Sequence, residues 1–188
     1  MAARRTRRAA ILSALAAALV VSGCSTGREG GAGREGLPED VGHLSYNVYI
    51  TRELNLRDPE DSGYFQGPDA GRGFAYYGVF LTACNDASNG PSYPAASNFR
   101  IIDTQGEVFR PLTLPATNIW AYHPRPLKYK TCIPRAGSLA ASGPSGGAML
   151  LFKVPIPALE NRPWDLYIQS PPDPSTGRVE TKKIELDI

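Results

Sequence analysis

A few side chains in this sequence have types and spacings that suggest chemistry. Ser145 lies in Gly143-Pro-Ser-Gly-Gly147, which fits the G-x-S-x-G pattern of a nucleophile elbow. That chemistry needs a strand before the serine, a helix after it, and an acid and then a histidine later in the chain. Ser145 is followed instead by the strand-like run AMLLFKV, and both histidines, His43 and His123, precede it. The order fails, and a plain loop is expected. The run DPEDSGYFQGPD places Asp58, Glu60, Ser62, Gln66 and Asp69 at positions 1, 3, 5, 9 and 12 of a twelve-residue loop, with Gly63 at 6. Oxygen donors at those spacings suit Ca²⁺. Asp69 is shorter than the usual closing Glu and no flanking helix is legible, so a solvated acidic turn is the competing reading. His43 and His123 have no partner at ligand spacing, so neither a zinc site nor any other cofactor is expected.

Trp120, Tyr122, His123 and Arg125 crowd into NIWAYHPRPLKY (Asn118–Tyr129). On a long loop they make a candidate binding surface for an envelope protein or a glycan, because aromatic rings and arginine dominate recognition sites. The competing reading is that Trp120 and Tyr122 cover the edge of the core. The run LPATN (Leu114–Asn118) matches a sorting signal, but no apolar segment and basic tail follow it.

The last reactive group is a thiol. There are three cysteines, Cys24, Cys84 and Cys132. Cys24 follows MAARRTRR, a basic start, and AAILSALAAALVV (Ala9–Val21), 13 apolar residues. That run is short for a membrane span and suited to a signal peptide. Val21-Ser22-Gly23-Cys24 resembles the lipobox of bacterial lipoproteins. The resemblance implies that the Cys24 thiol receives diacylglycerol, that cleavage makes Cys24 the new N-terminus, and that fatty chains such as palmitate hold the protein on the cell membrane. The expected location is therefore extracytoplasmic. Whether export uses the Sec or the twin-arginine route is open. If Cys24 is lipidated there, Cys84 and Cys132 form a pair that can oxidise. A disulfide is expected, with two buried thiols or a reactive dithiol as rivals.

Charge supports the same division. The whole chain carries +2, but Arg4, Arg5, Arg7 and Arg8 lie in the leader. Without residues 1–23 it has 16 Lys and Arg against 18 Asp and Glu, a net −2. That mildly acidic balance argues against nucleic acid as a partner. The expected organisation is a signal peptide over 1–23, lipidated Cys24 with a Gly-rich tether to residue 42, and one domain over 43–188.

The elements positioning these groups read as strands. LSYNVYI alternates, with Tyr46, Val48 and Ile50 on one face. GFAYYGVFLTAC and AMLLFKV are apolar on both faces, as central strands are. NFRIID and EVFRPL flank a TQG turn, LKYKTCI is a further strand, and WDLYIQS and KKIELDI alternate. Residues 58–72 and 134–147 look too irregular for helices. About eight strands with 19 Gly and 17 Pro between them predict an all-β antiparallel sandwich.

Three blocks add a resemblance: YYGVFLTACN, FRIIDTQGEVFRP and AMLLFKVPIP with WDLYI. They resemble a family of bacterial lipoproteins of uncharacterised function with an immunoglobulin-like domain, related to small secreted mycobacterial antigens. The matched positions are Asn85, Phe99 with Asp103–Gly106, and Phe152–Pro155. A cysteine before Asn85 and the Pro-rich run 115–126 depart from the pattern. The resemblance implies an immunoglobulin-like sandwich and supplies no catalytic residues. The function expected is a non-catalytic binding or interaction module at the cell envelope. The alternatives are a Ca²⁺-binding module, a structural envelope component and an envelope hydrolase.

Overall fold

A computed structural model describes residues 32–188. The leader, Cys24 and the first part of the tether lie outside the described residues. Among the described residues twelve strands form: β1 (Gly33–Arg34), β2 (Glu39–Val41), β3 (Leu44–Leu54), β4 (Phe74–Asn85), β5 (Tyr93–Pro94), β6 (Asn98–Ile102), β7 (Val108–Phe109), β8 (Pro126–Leu127), β9 (Thr131–Ile133), β10 (Ala148–Pro155), β11 (Trp164–Gln169) and β12 (Thr181–Leu186). One sheet has the order β1-β12-β11-β6-β7. The other is β10-β4-β3-β2, with β9 also on β4, and β5 and β8 form a separate ribbon. β1 and β12 run parallel; the other strand pairs are antiparallel. The fold is an all-β, immunoglobulin-like sandwich.

Alternation along the strands builds the core. Trp164, Leu166 and Ile168 of β11 and Ile184 and Leu186 of β12 point inward. They meet Tyr77, Val79 and Leu81 of β4 and Leu150, Phe152 and Val154 of β10 in one cluster. The opposite faces of β4 and β10 are buried too. Tyr76, Phe80, Met149 and Leu151 form a second cluster with Leu54 and Tyr64. This outer layer explains why both strands are apolar throughout.

Two short helices make part of the cover, contrary to the loops expected over 58–72 and 134–147. They are α1 (Pro59–Tyr64) and α2 (Leu139–Ser142). Local chemistry starts each of them. Asp58 accepts from the Glu60 N–H with Pro59 in the first turn, and Ser138 accepts from the Ala141 N–H. Neither runs long enough to display a 3.6-residue period.

The face expected of β3 changes midway. Val48 pairs with Leu81 and Ile50 with Phe80, so Tyr49 is an inserted residue, a β-bulge. Tyr46 and Val48 face the core, but Ile50 is exposed. Beyond the bulge Thr51 is buried and Arg52 and Leu54 fall on the outer face beneath α1. The run LKYKTCI also breaks, into β8 and β9, at a turn where Lys130 has φ +55°.

The ordered domain begins earlier than residue 43. Gly33 and Arg34 add to β12, and Glu39–Val41 add to β3. Glu35 fastens this segment: its carboxylate accepts from the Thr51 and Asp187 N–H groups. The Gly-rich composition of 25–42 conceals two strands too short to alternate.

The outermost strands are short or covered, although β2 spans only Leu44–Tyr46 of the longer β3. β1, β2 and β7 have two or three residues each. Along β10, Leu112 N–H donates to Leu151 O, Met149 N–H to Trp120 O and Tyr122 N–H to Met149 O, so the Pro-rich run lies on that edge.

Candidate functional site

The structure gives most of the chemistry-bearing residues a structural place. Ser145 is buried in the turn leading into β10, and its hydroxyl has no hydrogen-bond partner. The glycines around it serve that turn: Gly146 has φ +62°, and a Cβ on Gly147 would lie 2.7 Å from the Leu81 nitrogen. The motif is a close approach of β10 to β4 and not an elbow over a helix.

Asp58, Glu60 and Asp69 are not brought together around one point. Asp58 caps α1, Glu60 lies 3.5 Å from Arg52, and Asp69 lines a shallow hollow with Arg57 and Arg72. Asp61 holds this region instead. It is buried, pairs with the Arg52 guanidinium, and its other oxygen accepts from the Asn55 N–H at 2.8 Å. Among the described residues no three His, Cys, Asp or Glu side chains converge as a metal site would need.

The aromatic run divides among three surroundings. Trp120 packs edge-on against Tyr64, ring centroids 4.9 Å apart, as part of the outer cluster. Tyr122 is in the main core, edge-on to Phe99, with its hydroxyl donating to Ala96 O at 3.0 Å. The Tyr46 hydroxyl accepts from the Ala96 N–H at 2.7 Å, so the two tyrosines clasp one residue, Ala96, from both of its backbone groups. Burial pushes both phenols above their usual range, Tyr122 further, with Tyr46 beside it adding to the rise. His123 is bonded to Asn118 O and Arg125 donates to Cys132 O at 2.6 Å. His123 and Arg125 line one surface hollow together, and Tyr122 and His123 border another.

Cys84 and Cys132 are joined. They sit directly opposite each other on β4 and β9, with Cα atoms 4.1 Å apart. That is the close, non-hydrogen-bonded type of cross-strand pair. The loop departing from them is arranged by buried Asn85, whose amide donates to Leu127 O.

A pocket absent from the sequence expectations lies at the same end of the sandwich. The β2–β3 connection is two residues, Gly42 and His43, with φ +57° and +69°, a tight hairpin turn of the primed kind. His43 stacks on Tyr93 at 4.4 Å, and its Nε2 lies 2.6 Å from Asp173 Oδ2. The other carboxylate oxygen accepts from the backbone and hydroxyl groups of Ser175 and Thr176. The Ser175 hydroxyl first, then His43 and the two N–H groups, holds the Asp173 carboxyl well below the usual range. Glu180 accepts from the Gly42 N–H, while its own N–H donates to Ser170 Oγ. The enclosed volume is about 260 Å³. Its walls combine a ring, prolines 171, 172 and 174, and fixed carboxylates. The arrangement can seat a small polar group against an imidazole. The hydroxyls around Asp173 bond to its carboxylate, so its geometry offers recognition before nucleophilic attack.

No family model and no curated protein matches the chain. The chain is similar in structure to the yjhA protein from Bacillus subtilis, with 12% identity and a TM-score of 0.45 over 82% of this chain and 99% of that one.

Proposed function

We propose that the protein is an extracytoplasmic lipoprotein, anchored through Cys24, whose sandwich serves as a non-catalytic binding module at the cell envelope. The observation that carries this reading is the Cys84–Cys132 disulfide. It accounts for both thiols of the domain and leaves Cys24, at the lipobox position, as the one cysteine outside that bond. A disulfide inside a folded sheet also suits an oxidising compartment. The binding part is supported by the His43–Tyr93–Asp173 pocket, whose ring and carboxylates suit a hydroxyl-bearing glycan or a polar segment of an envelope protein. Resemblance of the three sequence blocks to immunoglobulin-like lipoproteins points the same way.

The anchor is tested by producing the full chain in a bacterium fed an alkyne-tagged fatty acid. The expected result is a labelled protein that partitions with detergent and begins at Cys24, and an unlabelled, water-soluble Cys24→Ala variant. A wild-type protein that stays unlabelled with a free Cys24 thiol would overturn the reading.

A further inference from the structure

Between Glu107 and Glu160 the chain contains no acid, yet it carries Arg110, Arg125, Lys128, Lys130, Arg135 and Lys153. The remaining acids, all 18, lie elsewhere, so the near-neutral total conceals a strongly divided surface. Four of these cations cluster around β9. Arg125 and Arg135 line one hollow with Ile119, and Lys128 and Lys130 form the β8–β9 turn beside it. All four are exposed, and none has an ion-pair partner among the described residues. Apolar side chains stand among them: Ile119 is 61% exposed and Leu139 65%. Tyr129, between the two lysines in sequence, is also exposed.

The placement of this patch relates to the anchor. β9 pairs with the last residues of β4, opposite the start of β3. The same end holds Glu180, bonded to Gly42, and therefore the start of β12 at Thr181. β1 runs parallel to β12, Gly33 beside Ile184 and Arg34 beside Glu185, so the chain enters β1 from the Thr181 end. The patch and the entry of the anchored segment thus share one end of the sandwich. Eight residues, hence nine Cα-to-Cα steps, separate Gly33 from Cys24, a reach of at most about 30 Å, against a sheet width of about 15–20 Å for four strands. Of the acids at this end, Asp173 faces His43 and Glu180 faces Gly42, while Asp86 after β4 and Asp40, two strands from β4 on β2, are exposed.

We propose that this face seats on the anionic phospholipid headgroups of the membrane to which Cys24 is anchored. The cations meet the phosphates, and Ile119, Tyr129 and Leu139 enter the interfacial layer. The inference rests on the anchored reading for its geometry, and the patch itself can be tested without any acyl chain.

The test uses the chain from residue 24 carrying Cys24→Ser, sedimented with vesicles of phosphatidylcholine alone or mixed with phosphatidylglycerol. Binding is expected on the mixed vesicles, weakening as salt is raised. Lys128→Gln with Lys130→Asn, the asparagine chosen for its tolerance of positive φ, should weaken it roughly 25-fold, about fivefold per cation. Lys153→Gln, toward the opposite end of the sandwich where β10 pairs with Tyr76 of β4, should leave it unchanged. Bare vesicles, equal binding to both compositions, or unaltered binding by the double variant would overturn the proposal. So would capture by a soluble wall polyanion with vesicles left bare. If Cys24 proves unacylated, the vesicle result still decides the patch; if it is acylated and the vesicles stay bare, the patch fails while the anchor stands.

Discussion

Replacing Trp120 with alanine separates a core cover from a recognition residue. Its ring meets Tyr64 edge-on and lies on the outer cluster of Phe80, Met149 and Leu151. Asn118 reinforces the contact, donating to Tyr64 O and accepting from the Trp120 N–H. Truncating a fully buried tryptophan costs about 3–5 kcal/mol. Trp120 keeps part of its surface in water, so about 2–3 kcal/mol is expected here. At roughly 2–4 °C per kcal/mol for a chain of this size, the melting temperature should fall by about 5–10 °C. Trp120→Phe keeps a ring against Tyr64 and should lose less than half of that. The assay is a thermal melt followed by circular dichroism. The Phe variant adds a second readout, because its one remaining tryptophan, Trp164, is fully buried and should emit at short wavelength and resist quenching. Trp120→Ala melting within about 1 °C of the parent would refute the packing argument, since a contact made for a ligand carries no such burden in the free protein.

Three further outcomes follow from the geometry. Cys84→Ser with Cys132→Ser opens a loop spanning 48 positions, which on chain-entropy grounds costs about 4 kcal/mol and should lower the denaturation midpoint strongly. Asp173→Asn should matter at neutral pH and cease to matter in acid. A carboxyl held below its unfolded value stabilises the fold above about pH 4 and loses that contribution as pH falls toward its depressed value. Stability curves of parent and variant should therefore converge below pH 4. Tyr46→Phe leaves the buried Ala96 N–H without its acceptor, a loss of about 1–3 kcal/mol by melting, and in the parent Tyr46 and Tyr122 should ionise only above the ordinary phenol range in an alkaline absorbance titration.

Strand identity was legible where burial imposes a period. Trp164, Leu166 and Ile168 alternate because one side of β11 meets water, and β4 and β10 run apolar throughout because both their sides are covered. The reversal at Tyr49 was not legible, since one inserted residue leaves no compositional trace while moving Ile50 from core to surface. Gly33–Val41 hid for a related reason: they are held by main-chain bonds and the Glu35 carboxylate, with Val41 the one large apolar side chain reaching the core. The His43 pocket joins residues 130 positions apart, and no local pattern marks such a meeting. Asp173 did carry a local signal, since PDPSTG reads as a carboxylate-capped turn. Tyr122 and Arg125 stood three residues apart in the expected binding loop, yet the core claimed one and left the other at the surface.

Short and covered edges acquire a meaning once copies of the protein share a plane. Tethered domains collide sideways at high local density, and an open strand would let one copy template the next into a continuous ribbon. Here a neighbour would find two or three residues at β1, β2 or β7, a Pro-rich segment already bonded along β10, and beyond β2 a stretch of β3 broken by the Tyr49 bulge, with its Val48 O bonded to the Gly36 N–H and its Thr51 N–H to Glu35. If Cys24 is anchored as proposed, crowding on the bilayer would leave the copies as separate particles free to diffuse, and the prolines that blurred the sequence pattern of residues 111–126 would act as a guard against polymerisation.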